Sequence, residues 1–392
     1  MDGEKVGLGI WDYVMFSLML IISAAIGVYF RFSGSKQKTT DEYLLAGKDM
    51  SILPVSFSLM ASFMSATTII GTPMEIYYFG AQLAYVNVSY ITGMTISAFV
   101  TLPVYFEMKA STIYEYVDRR FGKHTRILTS VTFVIQMILY MSIVLYAPAL
   151  ALSAVTDMSM WISIVAVGIV CTFYCTIGGM KAVLWTDVFQ SFLMFFGVIA
   201  VLIKGFYDVG FEDVFKIARD GGRLGAPSLD PSFYKRYTLW NIIAQGIILS
   251  MGSFSANQVQ VQRLLTLKNI NRSRRALFVS MPIGVPLHLL ICLTGIVLYA
   301  YFEKCDPLSP PNNPIHHGDQ LLPYFMMKSL SDYSGLAGIC ICGIFSACLS
   351  TVSSCVNSLT AVTMQDLIRP FLLAKGLSEG KLTVAAQLIS EY

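Results

Sequence analysis

Charge is what this chain has least of. Only 13% of its 392 residues are Asp, Glu, Lys or Arg, against about 25% in a soluble domain. Hydrophobic residues make up 55%, and the mean hydropathy is +0.63. A water-facing globule cannot hide that much apolar surface, so lipid must cover part of it. The formal net charge of +3 is too small to argue for nucleic acid, and the basic residues form no single stripe. A disulfide framework is also missing. Cys171, Cys175, Cys292, Cys340, Cys342, Cys348 and Cys355 fall in apolar helical runs as small reduced hydrophobes, and Cys305 alone sits in a polar loop. No thiol or imidazole pair near Cys171 and Cys175 completes a zinc site, and His316-His317 has no further ligands arranged around it. No Ser-His-Asp set and no paired membrane carboxylates suggest hydrolysis, so the chain does not read as an enzyme. The run Tyr13–Phe30 is longer than a signal h-region and follows no basic cluster. It is expected to stay as a first span.

What the chain does have is long apolar runs. A membrane helix needs about 20 predominantly apolar residues. By that measure roughly nine spans are expected, near Trp11–Phe30, Leu53–Phe79, Gln82–Phe106, Leu128–Val155, Trp161–Ile177, Leu184–Tyr207, Leu239–Val261, Ala276–Phe302 and Leu336–Ile368. Polar connections run from Asp208 to Arg236 and from Glu303 to Asp332. With the N-terminus outside, the inner connections hold 18 of the 27 Lys and Arg, among them Lys36, Lys38, Lys181, Arg263 and Lys375. The excess of inner cations therefore predicts N-terminus out and C-terminal tail in. The sequons at Asn87 and Asn271 then fall in a span and on the inner side, where neither is glycosylated.

The spans are interrupted. The second carries Ser62, Ser65, Thr67 and Thr68 before Gly71 and Pro73, where a helix break is expected. The seventh has a similar weak point at Gly246 and Met251–Ser255. Irregular backbone at membrane depth is tolerated only where protein buries it or a wet cavity takes it, and paired interruptions mark transporter sites. Counted from the second span, the two lie five apart, the spacing of two inverted five-helix repeats. In the ninth span, Ser350, Ser353 and Ser354 share one helical face. Neutral hydroxyls and carbonyls suit a hard monovalent cation; small hydroxyl residues equally let helices pack closely. The run Asn257-Gln258-Val259-Gln260-Val261-Gln262-Arg263 ends the seventh span. Its amides either gate the inner mouth or form a hydrogen-bonded helix end. Asp187, in the turn that begins Gly178-Gly179, either guides cations or pairs with Lys181 or a nearby Arg.

These motifs, with Asp41–Gly47, resemble the sodium/solute symporter family. Ala61–Ala66, Gly71-Thr72-Pro73 and Tyr146–Leu150 are most similar to its branch of sodium-coupled monocarboxylate, multivitamin and iodide transporters. The resemblance implies an all-α polytopic membrane protein with a leucine-transporter-like inverted-repeat fold and one extra N-terminal helix. It implies residues 1–52 as the extra span and inner loop, 53–207 as the first repeat, 208–238 as an outer loop, 239–368 as three helices of the second repeat, and 369–392 as an inner loop and the start of the next helix. The second repeat is thus incomplete. Sodium would be co-transported at Ala61, Met64, Ser350, Ser353 and Ser354. Ser62, Ser65, Thr68, Tyr146 and Trp240 would serve a second sodium or the substrate. Thr68 departs from the pattern: the iodide transporter has a glutamine at that point. The expected function is sodium-coupled symport of a small organic anion across the plasma membrane, a monocarboxylate or vitamin-like carboxylate, by alternating access. The alternative is a shortened, non-transporting form with a regulatory or partner-binding role. A passive channel is disfavoured, because no carbonyl filter or charged ring repeats. Oligomeric state is not legible.

Overall fold

The computed structural model describes residues 7–33, 39–156, 159–310, 314–369, 372 and 379–391. Lys36, Lys38 and Lys375, used above to orient the chain, lie outside them. Among the described residues, regular structure is helical apart from one bridge between Ser228 and Thr238.

The chain begins with the apolar α1 (Ile10–Phe32). A short α2 (Thr40–Leu45) then leads into α3 (Ile52–Phe63) and α4 (Ala66–Phe79). Next come α5 (Val86–Ile96), a π turn over Ser97–Thr101, α6 (Leu102–Glu107), α7 (Tyr114–Phe121) and the long α8 (Lys123–Val155). α9 (Met160–Val209) is followed by α10 (Phe211–Asp220) inside the connection expected to be a plain loop. The remaining elements are α11 (Leu239–Met251), a π turn over Gly252–Ala256, α12 (Gln258–Leu264), α13 (Ile270–Phe302), α14 (Leu321–Leu330), α15 (Leu336–Val362) with a π turn over Thr363–Ile368, and α16 (Glu379–Glu391).

Among the described residues seven helices are long and apolar enough to cross a bilayer, or eight if the bent pair Thr40–Lys48 and Ile52–Phe63 counts as one. The protein is a multi-pass membrane protein. α9 is one of the seven, yet its 50 residues would run about 75 Å straight, more than twice the hydrocarbon core. It turns instead at Gly179, with φ 56° and ψ −157°. A Cβ there would come within 2.8 Å of the Tyr43 ring, so the turn needs glycine on both conformational and steric grounds. Its two arms are the fifth and sixth expected spans. α3 and α4 are each too short to cross alone and together form the interrupted second span.

α15 is the hub, with 89% of its span window buried against 22–39% for the other span candidates. Its small residues let neighbours approach closely. A Cβ on Gly343 would meet the Leu193 carbonyl at 2.9 Å, and one on Gly338 would meet Asp12 backbone at 2.5 Å. Asp12 accepts from Gly9 N–H at 2.9 Å and from Gly338 N–H at 2.7 Å. One carboxylate thereby satisfies orphan donors at two helix starts and ties α1 to α15.

Each end of the bundle is fastened separately. At the Gly179 end, Tyr43 donates to the Cys175 carbonyl at 3.3 Å and sits 3.0 Å from the Ser390 hydroxyl. Ser390 in turn lies 2.9 Å from Thr176, so α2, α9 and α16 meet at one point. Buried Asp366 is held there by Arg126 at 2.5 Å and Thr112 at 2.9 Å. At the opposite end, Arg236 pairs with Glu75 at 2.6 Å and lies 4.2 Å over the Phe79 ring. The eight cysteines are free, seven of them buried and Cys305 exposed.

Candidate functional site

The second span breaks at Met64 and Ser65 (φ/ψ −90°/77° and −71°/166°), about two turns before the expected place. α4 runs unbroken through Gly71 and Pro73. Proline inside a helix forfeits a hydrogen bond, but tertiary packing holds this one. A Cβ on Gly295 of α13 would meet the Pro73 carbonyl at 2.7 Å and Ile76 at 2.8 Å, so α13 lies directly on that turn. At the break, the Ser65 hydroxyl bonds those of Thr67 at 2.6 Å and Thr68 at 3.3 Å.

The hydroxyl face of α15 meets α3 just before this break. Ser350 Oγ donates to the Ala61 carbonyl at 3.0 Å. Ser62 and Ser354 hydroxyls are 3.0 Å apart, and Ser62 Oγ also donates to the Ser350 carbonyl at 3.3 Å. Ser353 is buried on the same helix and donates back to Ser350 at 3.2 Å. Ala61, Ser62, Ser350 and Ser354 are thus in direct contact, with Ser353 beside them and Met64 at the break.

A positive charge already sits on two of these oxygens. Arg263, 1% exposed, donates from Nη2 to Ser62 at 2.5 Å and to Ser354. It also donates from Nε to Ser58 at 2.6 Å and from Nη1 to the Val259 carbonyl at 2.6 Å. Its counter-charge is Asp187 at 3.6 Å, which accepts from Ser58 at 2.5 Å. Asp187 is therefore paired with an arginine, one of the two expected roles, and the partner comes from α12. The cluster is buried and charge-balanced, as desolvated ions require.

The amide run of α12 is buried as a block. Gln258 accepts from Ile113 N–H at 2.9 Å and donates to the Ser111 carbonyl at 3.2 Å. Gln262 donates to the Leu44 carbonyl at 2.9 Å. These amides staple the α6–α7 turn and α2 to the core, as the hydrogen-bonded helix-end reading expects. The weak point of the seventh span is also where it was expected, a π turn followed by extended Asn257, φ −99° and ψ 118°. Gly246 does not break α11: it permits close approach, since a Cβ there would meet Ser89 at 2.4 Å.

Between the two breaks lies a cavity of about 520 Å³ bordered by Ser62, Met64, Ser65, Thr68, Tyr90, Gln136, Tyr140, Asn257, Gln260 and His288 among others. None of its lining residues is Lys, Arg, Asp or Glu. The N-terminus of α4 opens on it through Ser65 and Thr68, and the unpaired first-turn N–H groups of a helix carry partial positive charge. Three of the five residues expected for substrate or a second sodium therefore face one cavity. The structure leaves the other two elsewhere. Tyr146 on α8 is 47% exposed, and Trp240 at the start of α11 is 56% exposed with its indole N–H on the Leu229 carbonyl at 3.2 Å. Tyr90, Gln136, Tyr140 and His288 escaped the sequence reading. The signal for Gln136 and His288 was present, a polar residue inside an apolar span.

Comparison with known proteins gives the family and the fold. The family model of the sodium:solute symporter family matches residues 43–390. A Drosophila melanogaster protein provisionally named a sodium-dependent multivitamin transporter is 46% identical over 368 residues, 93% of this chain and 60% of that protein. Human sodium-coupled monocarboxylate transporter 1 is 42% identical over 384 residues, 97% of this chain and 62% of that protein. The chain thus spans about 60% of the length of the curated relatives it matches. A substrate-bound, outward-open structure of a Na+-coupled sialic acid symporter superposes with a TM-score of 0.86 at 22% identity, covering 98% of this chain and 81% of that one. This likeness shows the fold, the leucine-transporter-like inverted repeat.

Proposed function

The chain belongs to the sodium:solute symporter family, and on that premise we propose that it serves sodium-coupled symport of a small organic anion across the plasma membrane. The observation that carries this reading is the meeting of the Met64–Ser65 break with the hydroxyl face of α15 beside an uncharged cavity. Sodium binds with the Ala61 and Met64 carbonyls and the hydroxyls of Ser350, Ser353 and Ser354. Of these oxygens Ser354 already accepts from the Arg263 guanidinium, which sodium would have to displace from it. The substrate occupies the cavity against Ser62, Ser65 and Thr68; Tyr146 and Trp240 are left out of the site because they do not border it. A carboxylate suits this cavity, with neutral donors and the α4 N-terminus in place of a fixed cation. The names of the similar transporters point to the same class of substrate, a monocarboxylate or a vitamin-like carboxylate.

Residues 53–207 act as one repeat and 239–368 as the matching part of the second, with the N-terminus outside and residue 369 onward inside. Sodium between α3 and α15 stabilises the outward-facing state, and its release inward frees the substrate. Each ligand thereby offsets part of the conformational cost of the other.

The test is uptake of propionate, lactate, biotin and iodide in sodium and in choline medium. It is run on the 392-residue chain and on the same chain extended with the C-terminal remainder of the human monocarboxylate relative. Saturable, sodium-dependent uptake of a carboxylate is expected, and Ser353→Ala with Ser354→Ala should abolish the sodium dependence. If neither protein takes up any of the four, the substrate assignment is wrong.

A further inference from the structure

α13 carries an imidazole at membrane depth. His288 is 3% exposed, and its ring forms part of the cavity wall. An ionisable group inside a span is costly unless it has a task or a partner. The plainer explanation is packing: the ring fills space and bonds a neighbour. That neighbour, however, also fixes what the ring can do.

Asn87 Nδ2 lies 2.8 Å from the Ala84 carbonyl oxygen and 3.0 Å from His288 Nδ1. A carbonyl oxygen only accepts, so Ala84 sets the amide with its NH2 toward both atoms. The flipped amide would place oxygen against oxygen. The NH2 group therefore donates to Nδ1, which must carry the lone pair, and the ring proton sits on Nε2. Asn87 does not border the cavity, so the Nδ1 edge faces away from it and the Nε2 edge faces in. Nε2 has no hydrogen-bond partner among the described residues; Cys292 Sγ, at 3.8 Å, is again on Nδ1, and the Tyr90 ring packs edge-on against the imidazole with centroids 5.9 Å apart.

This N–H differs in kind from its neighbours. The hydroxyls of Ser62, Ser65 and Tyr90 and the amides of Gln136 and Gln260 can each donate or accept. An Nε2–H only donates. With no Lys or Arg in the wall, it is the side chain that can prefer an acceptor-only ligand edge over one bearing its own N–H.

We propose that His288 tells a carboxylate substrate from its uncharged analogues, donating from Nε2 to a carboxylate oxygen, and that Asn87 is the positioning residue that holds the ring in this tautomer. The proposal rests on the symport reading above and names the specificity element of the same site.

Propionate and its isostere propionamide provide the test, on the same two proteins. Two ratios are measured: sodium-dependent uptake of propionate against its inhibition by propionamide, and equilibrium binding of both to purified protein. His288→Gln, whose amide can turn either edge to the ligand, should lower the propionate preference at least tenfold, since a hydrogen bond to a charged group is of that order. His288→Leu should lower propionate binding by at least as much. Asn87→Leu frees the tautomer and should give a smaller fall in the ratio, which a purely structural role would leave unmoved. A ratio within twofold of the original in both His288 variants, with sodium-dependent uptake intact, overturns the proposal. Binding that keeps the ratio without any uptake counts against the transport reading alone, and binding of neither probe overturns both.

Discussion

The two interrupted spans solve one problem in opposite ways. At Met64–Ser65 the chain relies on others: α15 supplies hydroxyls, and α12 sends Arg263 across to Ser62 and Ser354. At Asn257 the break is capped by its own side chain, while neighbours fasten the preceding turn, Tyr105 donating to the Ser255 carbonyl at 2.6 Å and Ser255 to the Ser97 hydroxyl at 2.8 Å. The Asn257 side chain accepts from Val259 N–H at 2.9 Å, and the preceding π turn takes up the slack in the helix. A self-capped break is a fixture. A break closed by residues from two other helices opens when either one moves, and that is where a ligand can exchange with protein groups. On the proposed symport reading the first interruption is the working one, and the second supports it.

Three substitutions break or sharpen that contrast. Arg263→Met should be the most damaging, because it strands buried Asp187 without its counter-charge. Removing one partner of a buried pair costs about 3–5 kcal/mol, and thermal unfolding in detergent would register it. Adding Asp187→Leu should restore much of the loss; if the double variant is no more stable than the single, the pair is not the source. Ser62→Ala comes next. It removes a hydroxyl shared by Arg263, Ser354 and the Ser350 carbonyl, and leaves buried donors short by about 1–3 kcal/mol. It should also move the half-saturating sodium concentration, and an unchanged value would argue against a working first break. Asn257→Ala should be the mildest, about 1 kcal/mol for a lost helix cap. An effect as large as that of Arg263→Met would erase the distinction between the two breaks.

Much of this was legible in the residues. The hydroxyl face of α15 follows from helical spacing alone, because Ser350, Ser353 and Ser354 recur at i, i+3 and i+4 and little else decides which way they face. The weak point of the seventh span was equally local. The first break was not. Gly71 and Pro73 are the stronger local disruptors, yet α13 packs over them through Gly295 and keeps the turn helical, while Met64 and Ser65 give way where α15 and α12 supply partners. A one-dimensional reading sees propensity but not the helix that arrives from two hundred residues downstream. The same limit hid Arg263 as the partner of Asp187. His288 was passed over for a different reason: a long apolar window averages out one imidazole, and its meaning depends on Asn87 across a helix interface. Tyr146 and Trp240 came from family likeness with no independent physical warrant, and they are the two that stand off the cavity.

The clasp at Gly179 has a consequence for how the protein is made. Tyr43 and Ser390 are separated by 347 residues in the chain, which at about 5–20 residues per second is on the order of tens of seconds at the ribosome. From the completion of α9 at Val209 until Ser390 is made, α2 and the hairpin of α9 wait for their shared hydroxyl partner. This end of the bundle therefore cannot close in the order in which its helices insert.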